Sequence, residues 1–171
     1  MDVLPTKFVT EPSSSLKCPM CGHLFREPVI STCCGHTFCR ICVNGPQSAD
    51  KSKIMCPVDA VVMNSDNFVP NRAVQGQLED LLIFCRHGLY RVDSDEELLT
   101  DEEGCKEHIP FGRRHEHEEN CLSAWIPCPN SSNYCGMFRR RDFEQHLQMC
   151  THVPCQFKEQ GSVFLSLVEM R

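Results

Sequence analysis

Long apolar runs are missing from this 171-residue chain. No stretch approaches the roughly 18 apolar residues of a membrane span, so membrane insertion is not expected. The opening residues MDVLPTKFVTEPSSSLK hold no charged segment followed by an apolar one, which argues against a secretory signal. Positive charge is scarce as well: 17 Lys and Arg face 23 Asp and Glu, a net charge of −6. Nucleic-acid binding needs a surplus of cations on some face and is not expected. Arg139-Arg140-Arg141 is a local basic patch, read as the solvated start of a helix. Heptad repeats, propeller-like repeats and a C-terminal receptor-binding domain are not found, so the chain reads as a short or truncated form lacking such partner regions. Apolar residues make up 41%, but that figure includes 14 Cys. Without them the share is about 33%, thin for one large core.

Cysteine is what the chain has in excess, and it implies either a disulfide scaffold or metal sites. With no secretory signal, a reducing setting is expected, cytosolic or nuclear with the cytoplasm preferred, where clustered Cys holds metal. The Cys positions also organise the chain. Residues 1–16, with two Pro and Ser13-Ser14-Ser15, read as a flexible leader. A first Cys block falls in 17–62, a second in 85–127 and a third in 128–155, with a tail over 156–171. In the intervening segment 63–84, Val74, Leu78, Leu81 and Leu82 form the i, i+4, i+7, i+8 stripe of an amphipathic helix. Asn71 is its N-cap candidate. The stripe suits packing on a neighbouring module, with self-association as the alternative. Seven acids crowd the eleven residues from Asp93 to Glu103, a solvated loop inserted in the second block.

The first block contains four ligand pairs: Cys18-Pro-Met-Cys21, Cys34-Gly-His36, Cys39-Arg-Ile-Cys42 and Cys56-Pro-Val-Asp59. Two residues between donors let the chain turn and aim both at one ion, as tetrahedral zinc requires. Eight donors imply two ions, but spacing does not say which pairs share one. Cys33 is one residue too early for the Cys-x-His pairing, so Cys34 is preferred. Asp59 stands where a last Cys or His would fall, and carboxylate is an accepted zinc ligand.

This order of pairs resembles a RING finger, and the CPVD ending is similar to the tumour-necrosis-factor-receptor-associated factor (TRAF) group of RINGs. The segments REPVISTCCGHTFCRIC, CPVD and FCRHG most resemble the WD-repeat-bearing member of that group. The resemblance implies a cross-brace: Cys18, Cys21, Cys39 and Cys42 on one zinc, Cys34, His36, Cys56 and Asp59 on the other.

The later blocks repeat one another. Cys85-x19-Cys105-x11-His117-x3-Cys121 and Cys128-x6-Cys135-x10-His146-x3-Cys150 share an order and an ending. His-x3-Cys puts both donors on one helical face. His115 is an alternative to His117, but it would break the repeat. Both blocks resemble TRAF-type zinc fingers, with Phe138, Phe143 and Leu147 as the apolar set packing the second. The expected fold class is therefore small zinc-stabilised α+β modules: a RING, a helix and two fingers. Four sites use twelve Cys, three His and Asp59, leaving Cys33 and Cys155 spare. Cys155 looks like the first ligand of a third, uncompleted finger. Sites filled by four protein donors leave no position for a substrate, so the expected four zinc ions are structural.

The RING resemblance implies an E3 ubiquitin ligase in a signalling pathway. Such a protein binds a ubiquitin-conjugating enzyme (E2) and positions its ubiquitin thioester for attack by a lysine of a protein substrate. No RING residue is catalytic in this scheme. Matched by position, Met20 and Pro57 would meet the E2; their bland role is packing within the RING. Gly22 departs from a common Leu, and Ala60 from a common basic residue. A homodimer through the RING and the following helix is also implied as a possibility. The alternative is a non-catalytic zinc-finger adaptor or decoy.

Overall fold

The computed structural model describes residues 6–45, 53–91, 98–130, 132–153 and 165–166. They divide into two units. The first comprises residues 7–83 with 109–113, and the second comprises Thr6, 84–108 and the described residues from 114 onward.

In the first unit, β1 (Pro28–Ser31) is the central strand of a three-stranded antiparallel sheet. It pairs with β2 (Thr37–Cys39) on one side and β5 (Phe68–Pro70) on the other. The register sets Val29 opposite Phe38, and both are fully buried. A five-residue helix, α1 (Arg40–Asn44), follows β2 directly. The short strands β3 (Ile54–Met55) and β4 (Val62–Met63) form a second antiparallel pair. Their alternation turns Ile54 and Met63 inward and leaves Met55 and Val62 exposed. Leu16, Phe25, Val29, Phe38, Val43, Ile54, Met63 and Leu78 join Cys18, Cys39 and Cys56 in one continuous core.

Helix α2 runs Arg72–Glu79, with the Asn71 side chain accepting from the Val74 amide at 3.2 Å as its N-cap. The apolar stripe predicts helix as far as Leu82, but α2 stops three residues earlier. The Asp80 amide closes the last turn on the Gly76 carbonyl, and Leu82-Ile83-Phe84 then becomes strand β6, burying Ile83 and exposing Leu82. Strand alternation therefore overrides the helical period at the end of the stripe. The leader expectation also differs from what is seen. Val9 donates its amide to Leu82 at 2.9 Å, and the 3-10 turn Ser14–Leu16 carries Leu16 into the core.

The second unit holds the other two Cys blocks. Strands β7 (Leu89–Arg91) and β8 (Leu98–Thr100), both from the segment inserted between Cys85 and Cys105, pair antiparallel. Residues 93–97 of its acidic run lie outside the described residues. Strand β9 (His108–Pro110) carries the chain back to the first unit for residues 109–113. These five residues fall inside the block assigned by sequence to the first finger, yet they pack in the first unit. The Phe111 amide bonds Leu81 at 2.8 Å, and Gly112 lies so close to Glu79 that a Cβ there would sit 2.8 Å from the Glu79 Cβ. The rest of the second unit is α3 (Arg114–Asn120), the hairpin of β10 (Trp125–Pro127) and β11 (Met137–Arg139) with α4 (Ser132–Cys135) between them, and α5 (Phe143–Met149).

Candidate metal centres

Four sets of donors are gathered among the described residues. They are Cys18, Cys21, Cys39 and Cys42; Cys34, His36, Cys56 and Asp59; Cys85, Cys105, His117 and Cys121; and Cys128, Cys135, His146 and Cys150. Within each set all four ligand atoms lie within 4.8 Å of one another.

Tight turns create the pairs. The Gly22 amide bonds the Cys18 carbonyl at 2.8 Å, and Ala60 bonds Cys56 at 2.9 Å in the same way. In each turn the residue just after the second ligand is left-handed, with φ of 73° at Gly22 and 59° at Ala60. Gly adopts this conformation freely, whereas Ala is strained there. The third and fourth sets each take their last two donors from one helical turn, His117 in α3 with Cys121 just beyond, and His146 in α5 with its cap Cys150.

The distances suit an ion. A tetrahedral centre with zinc–sulfur bonds of about 2.3 Å holds its sulfurs about 3.8 Å apart. Cys128 and Cys135 each place Sγ 3.8 Å from that of Cys150, and Cys85 stands 3.9 Å from Cys121. These separations are far beyond the roughly 2.05 Å of a disulfide. His146 approaches Cys128 with Nε2 at 3.2 Å, and His117 approaches Cys105 with Nε2 at 3.5 Å. His36 instead turns Nδ1 toward Cys56 at 3.6 Å and Asp59 at 3.2 Å.

Outer groups fix these donors, as metal sites require. Glu107 lies 3.4 Å from the Nδ1 of His117, leaving Nε2 to the site. Phe138 stacks on His146 with ring centroids 3.8 Å apart. Phe143 is half-buried and Leu147 exposed, so the expected apolar set reduces largely to Phe138. The Arg26 amide donates to the Cys39 sulfur at 3.1 Å, and the Val61 amide to Asp59 Oδ1 at 3.2 Å. His115 is 89% exposed and faces Glu119, outside the set.

Electrostatics also favour a bound cation. Burial, together with the neighbouring sulfur of Cys18, pushes the Cys39 thiol up to about 11, although the Arg26 amide opposes it. Burial and the crowding of Cys128 and Cys150 raise Cys135 to about 12, and Cys42 and Cys85 move upward for the same two reasons. Thiols so disposed become thiolates only when a positive ion compensates them. Four zinc ions fit the four sets, and the chain consists of zinc-stabilised α+β modules. The first two sets interleave along the sequence in a cross-brace.

Residues 18–57 match the family model of the RING-type zinc-finger. Over 163 residues the chain is 37% identical to the human E3 ubiquitin-protein ligase TRAF7, a match spanning 94% of this chain and 23% of that protein. It is 26% identical over 158 residues to mouse TNF receptor-associated factor 5, spanning 92% of this chain and 25% of the relative. Bovine TNF receptor-associated factor 6 is 26% identical over 146 residues, spanning 84% and 23%.

The chain carries a RING-type zinc finger and is similar over most of its length to TRAF proteins. It spans about a quarter of the length of these TRAF relatives. Within its RING, Met20 is 39% exposed and Pro57 is exposed, each between two paired donors. Ile41 on α1, at 67%, and Val58 beside Pro57 add exposed apolar surface that the reading of ligand pairs passed over. Spare Cys33 is exposed next to Cys34, while Cys155 lies outside the described residues. Among the described residues no helix is long and apolar enough to cross a membrane.

Proposed function

We propose that this chain is a RING-type E3 ubiquitin ligase module. It docks an E2 carrying a ubiquitin thioester and promotes transfer to a substrate lysine in a cytoplasmic signalling pathway. The sixteen gathered residues are its zinc ligands. Each ion contributes folding free energy, with no position open for chemistry. The gain in rate comes from restraining the tethered ubiquitin near attack geometry. Met20 and Pro57 are the E2 contacts.

The observation that carries the reading is this pair. Both are apolar side chains left exposed, each between paired donors of its own site, in a RING-type finger whose human relative bears the name E3 ubiquitin-protein ligase. The test is ubiquitin discharge from a panel of loaded E2 enzymes. At least one E2 is expected to be stimulated, with Met20→Ala lowering the rate at unchanged zinc content. No stimulation across the panel rejects the proposal.

Gly22 and Ala60 favour a second reading, a non-catalytic adaptor or decoy, because both leave the E2 face without a side chain the family often supplies. In that case Met20→Ala leaves the biological effect intact, and Cys105→Ser or Cys135→Ser abolishes it.

A further inference from the structure

Among the described residues, two charged motifs take no part in the gathered sets: the end of the acidic run at Asp101–Glu103, and Arg139-Arg140-Arg141. They meet in the second unit. Strand β8 returns the chain to a turn at Asp101, whose carboxylate accepts from the Glu103 amide at 3.0 Å and whose own amide bonds Gly88 at 2.9 Å. Arg139, at the end of β11, is only 7% exposed. Its guanidinium donates to the carbonyls of Ser123 at 2.7 Å and His87 at 3.2 Å, and forms an ion pair with Asp101. The same group lies 4.3 Å from the centroid of the Trp125 ring, in cation–π range.

Its two neighbours reach the same way. The Arg140 amide bonds Ala124 at 2.8 Å, and its guanidinium donates to the Glu119 carbonyl. The Arg141 amide bonds Leu122 at 2.9 Å, and its guanidinium donates to Glu103 through the carbonyl at 2.9 Å and the carboxylate at 3.3 Å. His87, Asp101, Glu103 and Glu119 belong to the first finger, the three arginines to the second, and Leu122, Ser123 and Ala124 to the link between them.

We infer that these arginines and the acidic turn form a clamp that locks the second finger onto the first, so that both move as one body. Asp101 and Glu103 are its receiving half. A planar guanidinium suits the task because its donors satisfy two carbonyls and a carboxylate at once. The carboxyl of Asp101 is held below its ordinary value: burial opposes this, but the Glu103 amide and Arg139 outweigh it.

The test is residual dipolar coupling of the zinc-loaded full chain, labelled with nitrogen-15. Amides of α3 and α5 are expected to share one alignment tensor in the wild type. They should split into two in Arg139→Gln combined with Arg141→Gln, with zinc content unchanged at four. A single tensor in the double variant overturns the clamp, as do two tensors in the wild type. Should that variant lose zinc, Asp101→Asn with Glu103→Gln removes the carboxylates while sparing the arginines. The same split is expected there, and a retained single tensor overturns the clamp.

Discussion

The two units are interior-built in different ways. In the RING unit Val29, Phe38 and Met63 are fully buried, and Cys18, Cys39 and Cys56 line an apolar core. Among the described residues of the finger unit, the buried side chains are Cys85, Cys121, Ala124, Cys128, Glu118, Ser123 and Arg139. No large apolar side chain joins them. Glu118 is held by Arg86 at 3.4 Å and Arg114 at 3.2 Å, so the finger unit buries paired charges where the RING buries hydrocarbon. A module too small for a core substitutes metal and fixed ion pairs for apolar area.

Metal removal is the strongest way to break this comparison. Structural zinc contributes about 10–16 kcal/mol in finger peptides, so a chelator should abolish amide protection throughout the finger unit. The RING sheet should keep residual protection at Val29 and Phe38 because hydrocarbon burial survives the loss of metal. Hydrogen exchange read by mass spectrometry decides it, and equal loss in both units would remove the distinction.

Next in size are single truncations of the two interiors. Phe38→Ala should cost the RING unit about 3–5 kcal/mol through the cavity it leaves. Arg139→Ala should cost the finger unit less, about 1–3 kcal/mol, because the Ser123 and His87 carbonyls lose their donor while the partly exposed Asp101 is solvated. Native-state exchange separates the two: each variant should loosen its own unit, and high salt should shrink the cost only of Arg139→Ala, because it weakens the wild-type ion pair.

The ligand quartets were legible because they are local. Two residues between donors, or three on a helix, leave their mark directly in spacing. Assigning pairs to shared ions needed the RING resemblance, since the partners of Cys18 and Cys21 lie some twenty residues away. Tertiary partners left no such mark. Arg139 reaches backbone carbonyls of His87 and Ser123, which look like any others in a sequence, and its triplet read as a solvated patch. Leu16 was lost in a polar leader, and Leu82 fitted a helical period that the strand at Ile83 overrode. His117 and Glu107 illustrate both cases: the ligand follows from the repeat, the carboxylate behind it only from the fold.

Smaller effects sharpen the contrast. Ala60→Gly should stabilise the RING unit by about 1 kcal/mol, since it relieves a left-handed Ala, and the gain should appear as a higher urea midpoint for that unit alone. His115→Ala should change nothing, because the side chain is exposed and outside the third set. His117→Ala is the matched control and should lower the zinc count by one in native mass spectrometry.

The interleaving of the RING ligands has a kinetic side. Closing the first set ties residue 18 to residue 42, and Cys34 and His36 lie inside that loop. The second site then needs only a further, shorter closure, so its entropic cost is already partly met. In the fingers the third set ends at residue 121 before the fourth begins at 128, and neither loop contains the other's donors. Loading should therefore be cooperative in the RING through nested loops, whereas any coupling between the fingers has to run through the arginine clamp. Under zinc shortage the RING would be found empty or doubly filled.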